Sequence, residues 1–282
     1  MNHLFCLGFG FTAATLAATL DKAQWRISGT SRTQEGAAAI AAQGYEGLLF
    51  DELAGIPASV THLLCSIPPG LKGDAAVAKF AGSLARPFTW LAYLSTTGVY
   101  GDHGGGWVDE ETPLNPSSSR ARARALAEAQ WLALGAQVFR LPGIYGPGRS
   151  QLEALLEGSA RRVVKPGQVF CRIHVEDIAG VLAASMAKSN PGRIYNVADD
   201  EPCPPQDVVA FAASLLGIAP PPEVPIAEAN LSPMALSFYD ESKRVSNRRI
   251  KQELGYQLKY PTYREGLAAI FRNSPHLHVR QG

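Results

Sequence analysis

The feature that most constrains this chain lies at its start. A short apolar run, residues 4–7, meets Gly8-Phe9-Gly10-Phe11-Thr12-Ala13, and an alanine-rich run follows. This spacing predicts a strand, a tight turn and a helix over residues 12–20. The first glycine permits the turn, and the second lets the backbone approach a pyrophosphate. The third position needs a small side chain where helix meets strand, and Ala13 suffices. The helix N-terminus then offers free N–H groups and a partial positive charge to phosphates. Gly8, Gly10, Phe11, Thr12 and Ala13 are therefore candidate cofactor contacts. The plain alternative is an ordinary glycine turn.

A secretion signal is the competing use of this stretch, because residues 1–20 carry no formal charge. Three features argue against it. No Lys or Arg precedes the apolar run, Gly8 and Gly10 interrupt it, and three threonines dilute it. No other stretch approaches the ~20 apolar residues needed to span a membrane.

Strand-like and helix-like segments alternate onward. Strands are expected at 25–29, 47–50, 62–66, 89–95 and 137–141, with helices at 35–43, 75–84 and 121–134. Such alternation predicts an α/β fold, a doubly wound parallel sheet of Rossmann type covered on both faces. The second half is less regular, with strands expected at 172–175 and 193–197 and a helix at 206–216. A smaller C-terminal lobe is expected to bind substrate. The division expected is 1–148 with 172–200 for the nucleotide-binding part, and 149–171 with 201–282 for the lobe.

Composition removes several classes of function. At 282 residues, 46% hydrophobic and 18% charged, the chain can bury a core without disulfides or metals. A net charge of +1 lacks the basic surplus of a typical nucleic-acid binder. Cys6, Cys65, Cys171 and Cys203 show no C-x-x-C spacing, and none has a nearby His partner of zinc-site type. They read as reduced thiols, hence a cytoplasmic protein with no metal site.

The second strand indicates the cofactor. An NAD enzyme usually places Asp or Glu at its end, on the ribose 2′-hydroxyl. Here the residues are Ser28-Gly29-Thr30-Ser31-Arg32, without an acid. Thr30, Ser31 and Arg32 suit a 2′-phosphate through charge-assisted bonds. NADP is expected in preference to NAD, the alternative for Arg32 being a solvated surface arginine. Asp51, ending the third strand, is placed either to meet adenine or to cap a turn.

Further landmarks are Ser95-Thr96-Thr97-Gly98-Val99-Tyr100-Gly101, Arg140-Leu141-Pro142-Gly143-Ile144-Tyr145-Gly146-Pro147-Gly148, Arg172-Ile173-His174-Val175-Glu176-Asp177 and Tyr195-Asn196-Val197. With the glycine turn, they make the chain resemble the extended branch of the short-chain dehydrogenase/reductase superfamily, and within it proteins of NAD-dependent epimerase/dehydratase type. The resemblance implies that Thr96 hydrogen-bonds the reacting oxygen. It also carries Ser66, Ile67, Pro68, Pro142 and Gly143 as cofactor contacts. The family's base is a Tyr in a helical Y-x-x-x-K motif, commonly followed by Glu. Anchoring on Glu128 puts Arg124 in place of the Lys and Arg120 in place of the Tyr.

Arginine keeps its proton at physiological pH, so Arg120 is no base. Arg120 and Arg124 lie one helical turn apart and could clamp an anion or simply be solvated. Tyr100, Tyr145 and His174 are substitutes by position, each with a packing role as its plain alternative. Asp177 reads as a helix cap, Asp109-Glu110-Glu111 as a flexible rim, and Lys243, Arg244, Arg248, Arg249 and Lys251 as a solvated helix face. The function expected is an NADP-binding oxidoreductase, or a nucleotide-sugar epimerase/dehydratase-like enzyme, with a degenerate active site. Its substrate is expected to be small and polar, a sugar-like molecule being one option, with no nucleic acid or membrane partner, in a monomer or homodimer. The alternative is a catalytically silent NADP-binding sensor.

Overall fold

The computed structural model describes residues 1–71 and 73–278. Strands β1 (Asn2–Leu7), β2 (Trp25–Ser31), β3 (Glu46–Leu49), β4 (His62–Cys65) and β5 (Trp90–Thr96) come first, with helices α1 (Phe11–Thr19), α2 (Gln34–Ala42) and α3 (Ala75–Leu84) among them. The chain continues through β6 (Trp107–Val108), α4 (Ser119–Ala133), β7 (Gln137–Leu141), β8 (Gly143–Tyr145), α5 (Gln151–Leu156), β9 (Arg162–Val164), β10 (Arg172–His174), α6 (Val175–Ala187) and β11 (Ile194–Asn196). After these come α7 (Pro205–Leu216), β12 (Glu223–Pro225), α8 (Pro233–Ser237), β13 (Arg244–Val245), α9 (Arg248–Glu253) and α10 (Tyr263–Asn273).

Seven strands form one sheet in the order β11-β7-β5-β4-β1-β2-β3, and all neighbours run parallel. The central strands are near-continuous apolar runs because both faces are covered. Side chains alternate across the sheet. Leu4, Cys6, Leu64 and Ala92 join α1 and α6 in one core, while Phe5, Leu7, Leu63, Cys65 and Tyr93 join α3 and α4 in another. The expected α/β architecture is therefore present. A third cluster, including Leu152, Val208, Leu216, Leu267 and Ile270, is built by α5, α7 and α10.

Three expectations need correction. Asp177 does not cap α6. That helix starts at Val175, and His174 caps it, its Nδ1 accepting from Glu176 N at 3.2 Å. The buried Asp177 carboxylate instead accepts from Tyr256 Oη, Lys259 N and Tyr260 N, fixing that distant segment to α6. The acidic cluster is not a loose rim. Glu110 accepts from Asn196 N at 2.8 Å, and Arg249 pairs with both Glu110 and Glu111. Nor is the basic run mostly solvated. Lys243 pairs with Glu241 and donates to Gly101 O, Arg244 donates to Gly105 O, and Lys251 pairs with Asp200.

All four cysteines are free. No helix among the described residues is long and apolar enough to cross a membrane.

Candidate functional site

Because the sheet is parallel, the residues following each strand emerge on one edge. Strand order reverses between β1 and β4, and open α/β sheets bind ligands in the crevice at such a switch point. Gly8 follows β1 and Ser66 follows β4 in adjacent register. Thr96 ends β5 opposite Leu141, which brings it beside Pro142 and Gly143. Ser31 ends β2, and Arg32 and Asp51 follow β2 and β3 farther along the same edge. The predicted cofactor residues are thus gathered along one border of the sheet.

The glycine turn is held from several sides. Gly8 has φ +84°, a backbone conformation that favours glycine. Its N–H donates to Thr30 Oγ1 at 2.8 Å, and its carbonyl accepts from Ser66 Oγ at 2.9 Å. Phe9 N donates to Thr30 O, and the Phe9 ring lies on Gly29, where a Cβ would stand 2.3 Å from it. At Gly10 the reverse holds, since an added Cβ would meet nothing within 4 Å. Gly10 is also the N-cap of α1, and no side chain caps that helix. An open space therefore faces an uncapped helix N-terminus, as an anionic dinucleotide backbone requires. Phe11, Thr12 and Ala13 form the first turn, with Thr12 and Ala13 buried.

The 2′-phosphate set needs one correction. Thr30 is 3% exposed, and its hydroxyl is engaged by Gly8 N, so it braces the turn from within the sheet rather than facing a ligand. Ser31 is half-buried, its hydroxyl accepting from Thr33 N at the start of α2. Arg32 is exposed, and its guanidinium has no partner among the described residues. Asp51 is exposed too, with only its carbonyl engaged, by Lys79. Ile67 is half-buried and Pro68 exposed in the loop after Ser66.

At the end of β5, Thr96 Oγ1 accepts from Gly98 N at 3.2 Å. Its own hydroxyl hydrogen remains available to a ligand oxygen. The arginines on α4 do not form a joint clamp. Arg124 lies against β5, donating to Tyr93 Oη at 3.0 Å and Leu94 O at 2.9 Å. Arg120 is exposed and stacks over Phe238, its guanidinium carbon 5.5 Å from the ring centre. Deeper in, Glu128 takes the guanidinium of Arg140 with a shortest contact of 2.8 Å, both side chains 3% exposed or less. Ser95 donates to the same carboxylate. Arg140 also donates to Tyr100 Oη, which donates to Asn196 Oδ1, both at 2.8 Å.

That network answers for Tyr100. Its phenol is wholly buried, fully partnered and shifted upward by burial, so it presents nothing to a ligand. Tyr145 is also buried, its phenol pushed up by burial and its ring against His174 and Gly266. His174 is 1% exposed, and burial lowers its pKa to about 4, leaving it neutral at physiological pH. Its Nδ1 caps α6, while its Nε2 is buried without a partner. All three substitute bases sit in packing positions.

Sequence reasoning missed Asp199, which follows β11. It is 2% exposed, its Oδ2 has no partner, and burial raises its pKa to about 8. Only its place after Tyr195-Asn196-Val197 hinted at it. A carboxyl with a raised folded pKa contributes stability that is fully present below the ordinary carboxylate range and lost as pH rises to about 8. Asp199→Asn is therefore expected to raise the melting temperature at pH 9, by about 2–4 °C per kcal/mol recovered, and to leave it nearly unchanged at pH 4. Equal shifts at the two pH values would contradict a buried, protonated Asp199.

An apolar groove of about 350 Å³, lined by Leu155, Leu216, Phe271 and Leu277 among others, lies in the third core cluster. None of its lining residues belongs to the strand ends.

No protein-family model matches the chain. It is 26% identical over 285 residues to protein YeeZ of Escherichia coli K12, covering 93% of this chain and 97% of that protein. It is 29% identical over 181 residues to a 3-diazoavenalumate denitrifying reductase from Streptomyces, covering 57% of this chain and 58% of that one. Among solved structures, a conserved protein of unknown function from Silicibacter pomeroyi is 52% identical, with TM-score 0.92 over 97% of this chain and 99% of its own. A Methylobacillus flagellatus protein named a "putative NAD-dependent epimerase/dehydratase" is 25% identical, with TM-score 0.71 over 97% and 98%. A human epimerase family protein solved with NADPH has the same fold at 19% identity, with TM-score 0.73 over 97% and 100%.

Proposed function

We propose that the chain is a member of the extended branch of the short-chain dehydrogenase/reductase superfamily, an NADP(H)-binding oxidoreductase or epimerase/dehydratase-like enzyme acting on a small polar, sugar-like substrate, a reading supported by the fold and by the similarity to the Methylobacillus flagellatus protein. The observation that carries the cofactor is the open, uncapped turn at Gly10. In this reading the first turn of α1 holds the pyrophosphate, Ser31 and Arg32 hold a 2′-phosphate, and Asp51 faces adenine. The preference for NADP rests on the missing acid after β2 and on the exposed, unpartnered Arg32. The human neighbour with NADPH and a Bacillus anthracis dehydratase with NAD, both of this fold, are consistent with either dinucleotide.

The bound nicotinamide would supply or accept a hydride. Thr96 would orient the substrate oxygen through its free hydroxyl hydrogen. Arg120, at the position of the family's tyrosine, stays charged and supplies attraction for an anionic group rather than proton transfer.

One observation favours a second reading, a catalytically silent NADP(H)-binding sensor. Tyr100, Tyr145 and His174 are all buried in packing roles. A dinucleotide-bound structure separates the two readings. A titrating group within hydrogen-bond reach of the substrate side of the nicotinamide favours the enzyme, and only Thr96, arginines and apolar groups there favour the sensor.

The cofactor assignment is tested by calorimetric titration. NADPH is expected to bind at least tenfold tighter than NADH, and Arg32→Ala to erase most of that gap, ~1.4 kcal/mol per decade. Equal affinities in the wild-type protein would remove the argument from the 2′-phosphate.

A further inference from the structure

Arg149 follows the Gly146-Pro147-Gly148 turn after β8. Gly146 and Arg149 exchange backbone hydrogen bonds, N to O, at 3.1 and 3.0 Å, which closes a tight turn. This turn is pinned to the start of α1. A Cβ at Gly146 would stand 2.9 Å from the Phe11 ring and 2.6 Å from Val175. The Arg149 guanidinium carbon in turn lies 6.0 Å from the centre of the Phe11 ring. Phe11 is the first residue of α1, next to the open Gly10.

The guanidinium is exposed and has no hydrogen-bond or ion-pair partner among the described residues. The nearest acid along the following chain, Glu153, is already engaged by Gly148 N and Ser150 Oγ. A cation is thus held beside the one helix terminus that the proposed function reserves for phosphates, and the local carboxylate is turned elsewhere. At 6.0 Å from the Phe11 ring centre the guanidinium is at the outer limit of cation–π distance, and its N–H donors are uncommitted among the described residues.

We propose that Arg149 is a pyrophosphate-binding residue, a cationic arm reaching from the β8–α5 loop to the phosphates at the α1 N-terminus. The inference rests on the dinucleotide reading and adds a contact to it. Arg149 acts on a group common to NADPH and NADH, whereas Arg32 acts on one that only NADPH carries. The two arginines therefore leave different signatures.

The test is calorimetric titration of the wild type, Arg149→Ala and Arg149→Lys with NADPH, NADH, ADP and adenosine. Arg149→Ala is expected to weaken NADPH, NADH and ADP by a similar factor of about ten or more, and to leave adenosine unchanged. Arg149→Lys is expected to recover part of the loss, because it keeps the charge but not the fork. Unaltered affinity for NADPH in Arg149→Ala overturns the proposal alone, as does a loss confined to NADPH. A wild-type protein that binds neither dinucleotide overturns the parent reading and this one with it. Thermal unfolding of Arg149→Ala is expected to match the wild type, since the side chain is exposed and unpartnered.

Discussion

Glu128→Ala is expected to lower the unfolding free energy by about 3–5 kcal/mol, a large share of the stability of an ordinary domain. The variant leaves Arg140 buried with its counter-charge gone. It also strips Ser95 of its acceptor. Tyr100 still accepts from Arg140, but a neutral phenol does not compensate a buried guanidinium. Truncating both partners differs from truncating one. Glu128→Ala combined with Arg140→Met removes the charges together, and the pair is expected to recover most of the loss. Urea unfolding of the two single variants and the double variant measures the coupling. A single-variant cost below about 1 kcal/mol would mean that water reaches Arg140 and that this network is not the clamp between α4, β5 and β7. The network also bears on the proposed site, because Ser95 precedes Thr96, the residue proposed to orient the substrate, on the same strand end.

How far the sequence revealed this molecule depends on how far apart the cooperating residues lie. Strands such as His62–Cys65 and Gln137–Leu141 are buried on both faces, so their apolar runs mark them unaided. The turn from Gly8 to Ala13 is equally local, and its strand–turn–helix geometry was legible because six consecutive residues contain it. Thr30 was misread for the opposite reason. Its hydroxyl is committed to Gly8 by the pairing of β1 with β2, and a residue one strand away is invisible to local spacing. Asp177 is a longer-range case. In sequence it has the form of a helix cap, yet its partners lie 79 to 83 residues downstream. His174 took the cap because β10 ends directly against α6, which makes the helix start three residues earlier than its apolar pattern indicated. Arg124 stands at the family's lysine position, but its guanidinium is committed to Tyr93 and Leu94. Position in a motif identified the residue without revealing what it holds.

Gly10→Asp is expected to abolish dinucleotide binding, with a loss of at least about 100-fold in affinity, ~2.7 kcal/mol, while the fold is unchanged or slightly more stable. The opposite signs follow from one geometry. Gly10 sits at φ −94°, ψ −164°, an extended conformation that any residue adopts, and its added Cβ would meet no protein atom within 4 Å. Aspartate is a favoured N-cap, and its charge complements the helix dipole, each effect being worth roughly 0.3–1 kcal/mol. The same carboxylate occupies the space in front of α1, consumes its free N–H groups and repels a pyrophosphate. Gly8→Ala provides the contrast. Gly8 requires φ +84°, and its Cβ would approach Ser66 Oγ at 2.9 Å, so that variant is expected to lose stability along with binding. Paired melting curves and NADPH titrations distinguish these outcomes. If Gly10→Asp binds NADPH within about threefold of the wild type, the phosphates do not sit at this turn, and both the cofactor assignment and the role given to Arg149 fail together.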